Sequence, residues 1–129
     1  MATTEIIVCT TCRPAGVSRD LPAAGLGLFE AVQSILDADA FSPSSCNDLT
    51  LHGVACMNGC SRACTVALQA GGKFTYYFGD LGNDAETAAQ VVQCARLHHG
   101  SQDGNLLRND RPELLRNGMM AKLPALQFA

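Results

Sequence analysis

The sequence predicts a single α/β domain, a mixed four-stranded sheet with two main helices, followed by a C-terminal extension. Three observations predict it. The chain has 129 residues, the size of one hydrophobic core. An apolar content of 47% and a charged content of 16% are globular values, which exclude a disordered, collagen-like or coiled-coil chain. Short alternating or β-branched runs are interleaved with two segments of 3.6-residue apolar period.

Each element has its own reason. Glu5 to Val8 is short and β-branched, and it stops at Cys9-Thr10-Thr11-Cys12-Arg13-Pro14-Ala15-Gly16, where proline and glycine forbid a continuing strand. A helix is predicted from Asp20, a capping residue, with Pro22 in the first turn and Leu28, Ala31, Val32, Ile35 and Leu36 on one face. The polar stretch Ser42 to Asp48 connects it to a second strand, which starts at Leu49 and Leu51, breaks at Gly53 and resumes at Val54 before Cys56. Thr65 to Gln69 and Lys73 to Phe78 alternate about Gly71-Gly72, a β-hairpin signature. Asn83 or Asp84 caps a second helix with Ala88, Val91, Val92 and Ala95 on one face and Gly100 as its stop. The order β-α-β-β-β-α is that of a thioredoxin-like sheet, its first two strands parallel through a right-handed crossover.

Residues 1–100 form the domain in this reading and 101–129 an extension that packs on it or on a partner. Arg108, Arg111, Arg116 and Lys122 against Asp103, Asp110 and Glu113 make the extension slightly positive, whereas residues 1–99 carry −4. A short helix from Pro112 to Met120 fits, with Leu114, Leu115 and Met119 toward the body. The net charge of −3 and the pI near 5.4 leave no broad basic face, which argues against nucleic-acid and membrane-surface partners. The start MATTEIIVCTTC has no basic segment of a signal peptide, and no apolar run approaches the roughly 20 residues of a membrane span. The expectation is a cytoplasmic protein.

Seven cysteines are the anomaly. In a reducing compartment clustered thiols serve as metal ligands or redox catalysts rather than as a disulfide framework. Cys9 and Cys12 follow the first strand; Cys56, Cys60 and Cys64 follow the second. If those strands are parallel neighbours, their C-terminal ends share one edge of the sheet and four thiols converge there. Four thiolates suit either a tetrahedral zinc or an iron–sulfur cluster. Met57-Asn58-Gly59 lets the backbone curl its N–H groups toward the sulfurs, and Asn58-Gly59 argues against a helix carrying all three later cysteines. A CxxC after a first strand is also a thioredoxin-type dithiol pattern. Such dithiols draw on a helix N-terminus, whereas seven residues separate Cys12 from Asp20.

Other residues have plainer explanations. Cys46, alone in a connection, and Cys94, inside the second helix, read as small buried hydrophobes. His52, His98 and His99 stand outside both cysteine clusters and suit the surface or a helix C-terminus. Phe74, Tyr76, Tyr77 and Phe78 divide between core and surface by alternation. Lys73 beside Gly71-Gly72 lacks the full phosphate-loop pattern.

Cys9 and Cys12 after the first strand, Cys56-Met57-Asn58-Gly59-Cys60 after the second, and Val66 and Leu68 in the next resemble the thioredoxin-like [2Fe–2S] ferredoxins and the related small subunit of respiratory complex I, over about residues 5–99. More closely, CTTCRPAG, CMNGCSRACTVAL, GKFTYYFGDL and RPELLRNGMMAKLP resemble an uncharacterised bacterial family of predicted metal-binding proteins, often associated with cobalamin-related genes. The resemblance implies Cys9, Cys12, Cys56 and Cys60 as ligands of one [2Fe–2S] cluster; zinc, from the thiolate chemistry alone, is the alternative cofactor. It implies an electron carrier or iron–sulfur accessory protein rather than an enzyme, serving a redox partner protein, with a homodimer by analogy. The two-residue gap between Cys9 and Cys12 is shorter than the family's. Cys64 stands where the ferredoxins carry a proline that faces the cluster, which makes it the alternative to Cys12. Arg13 and Arg62 flank these loops; they read as solvated arginines, and a cation there would also favour the reduced cluster and steer an acidic partner.

Overall fold

The computed structural model of the chain describes residues 3–13, 16, 20, 22–40, 49–57 and 62–125. Strand β1 (Thr4–Cys9) leads through helix α1 (Ala24–Ala40) to β2 (Leu49–Val54), then to the hairpin β3 (Val66–Gln69) and β4 (Thr75–Phe78). Helix α2 (Ala85–Gly100) and strand β5 (Met119–Leu123) follow. The strands form one sheet in the order β2-β1-β3-β4-β5. β2 runs parallel to β1, and the other pairs are antiparallel. The thioredoxin-like α/β architecture is therefore present, with the crossover and the hairpin where the periodicity predicts them.

Alternation along β1 buries Thr4, Ile6 and Val8 on the face that receives the helices. α1 and α2 pack on each other and on β1 and β2. Leu28, Val32, Val91 and Val92 from the helices meet Ile6, Val8, Tyr76 and Phe78 from the sheet, all fully buried. Each such side chain contributes about 1.5–3 kcal/mol by leaving water. The Tyr76 and Phe78 rings stack with centroids 5.9 Å apart. Cys94 belongs to this core, as the buried-hydrophobe reading expects. Ser42 to Asp48, including Cys46, lies outside the described residues.

Four expectations are corrected. The first helix begins at Ala24 rather than Asp20, because the Gly25 N–H at its start is taken by the Cys12 carbonyl at 3.0 Å. β2 is unbroken at Gly53, where a Cβ would stand 2.9 Å from Thr10 Cγ2 and 3.2 Å from the Phe29 ring. That glycine allows a close approach and does not end the strand. The sheet has five strands, not four. In place of a helix over Pro112–Met120 there is a 3₁₀ turn, Glu113–Leu115, and then β5 on the outer edge of β4. Gly118 at φ +82° turns the chain between them, and the Gly79 N–H donates to its carbonyl at 2.8 Å. Among the described residues no helix is long and apolar enough to cross a membrane.

His98 takes the second of its two expected places, a helix C-terminus, and not the surface. It lies in the final turn of α2 and is fully buried. Its Nε2 is 2.7 Å from the Phe74 carbonyl oxygen, which only accepts, so Nε2 carries the hydrogen. Nδ1, 2.9 Å from Thr4 Oγ1, then accepts from that hydroxyl. The buried Lys73 donates to the His98 carbonyl at 2.9 Å and to that of His99, closing the C-terminal end of α2. Burial, together with the Lys73 charge, holds the His98 imidazole below its ordinary 6.5 against the pull of the Phe74 bond. The unfolded chain thus takes up the proton first as the pH falls, and the stability that depends on neutral His98 is complete above pH 6.5 and lost below it. Urea midpoints should drop as the pH falls through this range, and His98→Gln should give a lower midpoint that no longer changes there.

Candidate functional site

The site is built where β1 and β2 end side by side. Their parallel register sets Cys9 opposite Val54, two residues before Cys56. The loops that follow are stitched together: the Thr10 N–H donates to the Val54 carbonyl at 2.9 Å, the Thr10 hydroxyl reaches the same oxygen at 3.3 Å, and the Thr11 hydroxyl donates to the Ala55 carbonyl. Alternation places Cys9 on the sheet face away from the helices, yet it is 0% exposed. Its Sγ lies 3.8 Å from Thr11 Oγ1 and 4.0 Å from the Ala55 carbonyl oxygen.

Burial pushes the Cys9 thiol up. Hydrogen bonds from the Cys12 side chain and from the Thr11 and Met57 N–H groups, with the Thr11 side chain adding least, outweigh it and bring Cys9 below the ordinary thiol value. Backbone donors of both loops therefore converge on one sulfur. Cys12 is 1% exposed, with Sγ 3.6 Å from Thr65 Oγ1. Cys64, just before β3, is 1% exposed, and its N–H and carbonyl pair with Leu81 at 2.9 and 3.1 Å. Burial and then the Cys9 charge push the Cys64 thiol up. Cys56 is exposed, and Cys60 lies outside the described residues. Among the described residues no three His, Cys, Asp or Glu side chains form a group that could hold a metal ion. Cys94 stands apart in α2, its thiol pushed up to about 12 by burial, with Arg111 partly opposing.

The start of α1 sits directly on the Cys9–Cys12 loop. A Cβ at Gly25 would be 1.9 Å from the Cys9 carbonyl oxygen and 3.2 Å from the Cys12 nitrogen. The helix start thus lies against the CxxC loop, contrary to the sequence expectation. Among the flanking arginines, Arg62 is committed to an exposed ion pair with Asp80, its Nε 2.7 Å from the carboxylate. His52 is exposed on β2, and His98 bonds Thr4 at the opposite end of β1 from Cys9.

Sequence reasoning does not single out Thr11, Gly25, Thr65 or Tyr77. Tyr77 Oη donates to the Met57 carbonyl at 2.7 Å. Burial pushes the Tyr77 hydroxyl up, Thr65 opposes this by hydrogen bonding, and the charges of Cys12, Cys9 and Cys56 add to it. The available signal was the pair of threonines inside the CxxC and a tyrosine whose sheet neighbours, Ala67 and Ala121, are small.

Two outcomes follow from this geometry. Gly25→Ala forces a methyl group into backbone that cannot yield, and should lower the unfolding free energy by about 3 kcal/mol or more in urea titrations. In the native metal-free protein, alkylation followed by peptide mass spectrometry should label Cys56 well before Cys64 and Cys94, which react only on unfolding.

No curated protein matches the chain. Among solved structures it is similar to that of a thioredoxin-like [2Fe–2S] ferredoxin from Aquifex aeolicus, with a TM-score of 0.59 and 17% identity over 99% of this chain and 100% of that one. At this identity the likeness is one of fold. Residues 6–125 match the family described as "Protein of unknown function (DUF1636)", and the chain belongs to that family.

Proposed function

We propose that the chain binds a [2Fe–2S] cluster through the cysteines of its two strand-end loops and carries single electrons. The ligands in this reading are Cys9, Cys12, Cys56 and Cys60, with Cys64 as the alternative to Cys12. The observation that carries it is the parallel register of Cys9 with Val54, which lays the CxxC loop against the loop of Cys56. Two features of the donor set suit such a group. The sulfur atoms are soft ligands, and Cys9 receives hydrogen bonds from the Thr11 and Met57 N–H groups, as sulfurs of an anionic cluster do. The solved structure of like fold is titled a [2Fe–2S] ferredoxin, which supports the same reading. The link to cobalamin-related genes adds no residue to it.

When bound, such a cluster supplies one-electron chemistry at its iron atoms. The chain's own contribution is positional and electrostatic. The buried Cys9 and Cys12 hold one side of the site away from water, which strengthens the hydrogen bonds to sulfur. The exposed Cys56 marks the side open to a redox partner protein.

A second reading, a dithiol oxidoreductase, is favoured by the contact of Cys12 with Cys9 and by the lowered Cys9 thiol. Burial opposes it, because disulfide exchange requires the attacking sulfur to reach its target and both thiols are at most 1% exposed. Anaerobic purification or reconstitution decides between these. The expected outcome is visible charge-transfer bands with iron and acid-labile sulfide in equal amounts, lost in Cys9→Ser. A colourless protein holding zinc, or one that only cycles a disulfide, would sink the cluster. Of Cys12→Ser and Cys64→Ser, the one that shifts the visible spectrum identifies the ligand.

A further inference from the structure

We propose that the hydroxyl groups of Thr65 and Tyr77 form a relay joining the Cys12 sulfur to the backbone of the loop after β2, so that both act as positioning residues for the cysteine loops. The cluster reading enters only in its consequence: the two outer contacts of the relay are distances in the structure, and the Thr65–Tyr77 bond is the proposed link between them. Thr65 is 0% exposed, so its hydroxyl has to be satisfied inside the protein. Among the described residues its oxygen lies 3.6 Å from Cys12 Sγ, and the register of β3 with β4, Ala67 opposite Tyr77, puts Thr65 diagonal to Tyr77, whose hydroxyl its hydrogen bond holds down.

The direction follows from which groups can donate. The Met57 carbonyl accepts only, so Tyr77 spends its one hydrogen there, at 2.7 Å. The Tyr77 oxygen is then left to accept from Thr65, whose own oxygen lies 3.6 Å from the Cys12 sulfur. Met57 closes the circuit, because its N–H donates to Cys9, and Cys9 bonds Cys12. Both backbone groups of Met57 are thus held, one by the sulfur of the first loop and one by the relay. Met57 is the residue next to Cys56, so the placement of that thiol depends on a tyrosine three strands away from β2 in the sheet order.

Removing the Tyr77 hydroxyl leaves the ring and frees the Met57 carbonyl. Loss of one such hydrogen bond corresponds to a loop that opens about fivefold more often. The test compares Tyr77→Phe, Thr65→Val and Thr65→Ser with the parent chain by hydrogen–deuterium exchange of the metal-free protein, followed by mass spectrometry of peptides covering 55–57. Tyr77→Phe and Thr65→Val should exchange about fivefold faster there, with β1 and α2 unchanged, while Thr65→Ser, which keeps the hydroxyl, behaves as the parent. Parent-like exchange in Tyr77→Phe overturns the relay, as does Thr65→Ser exchanging like Thr65→Val. In reconstituted protein, visible absorbance should bleach under an iron chelator about fivefold faster in Tyr77→Phe, and bleaching at the parent rate also overturns it. A parent chain that takes up no cluster removes the proposed function, while the exchange measurements still decide the relay.

Discussion

The parallel pairing of β1 with β2 is the constraint on which the rest depends. A parallel neighbour requires the chain to return across the sheet, which α1 does, and it delivers both strand ends to one edge. Register matters as much as direction. A slip of one residue would send Cys9 into the helix layer and put Val8 in its place over the loops, since side chains alternate between faces. The buried face of β1 forbids that slip, because Ile6 and Val8 would leave the core.

β1 is pinned at both ends by polar contacts that its own sequence does not contain. At one end Thr4 donates to His98, and Lys73 closes the last turn of α2 beside it. At the other end the Cys9 N–H reaches the Thr65 carbonyl at 3.3 Å, and Thr10 and Thr11 tie the following loop to that of β2. The strand therefore acts as a rigid spine, with one end devoted to the helix terminus and the other to sulfur. Buried polar networks of this kind specify a unique arrangement because each unmade bond would be costly.

Much of the fold was legible because its elements obey simple periods. β1, the β3–β4 hairpin and α2 show alternation, a diglycine turn and a capped apolar stripe, and each reports its own environment. The extension was not legible in this way. Met119, Met120, Ala121, Lys122 and Leu123 are strong helix formers, and they become a strand because β4 offers an open edge and Gly118 turns the chain onto it. Propensity is weak beside a row of unpaired backbone groups. Gly53 and Gly25 were similarly opaque: a glycine in sequence signals a turn, while these two permit a close approach by Phe29 and by the Cys9 carbonyl.

The amino-acid sequence by itself determined which residues could do soft-ligand chemistry and that the cysteines cluster after two β-branched strands. Those are local facts, set by composition, spacing and period. Only the tertiary structure decided that the start of α1 lies on the CxxC loop, that Tyr77 bonds Met57, and that His98 is buried against Thr4. Each of these joins residues from elements that pack only after the sheet has closed. No periodicity encodes such pairs, because the distance between their side chains is a property of the assembled layers and not of the chain between them.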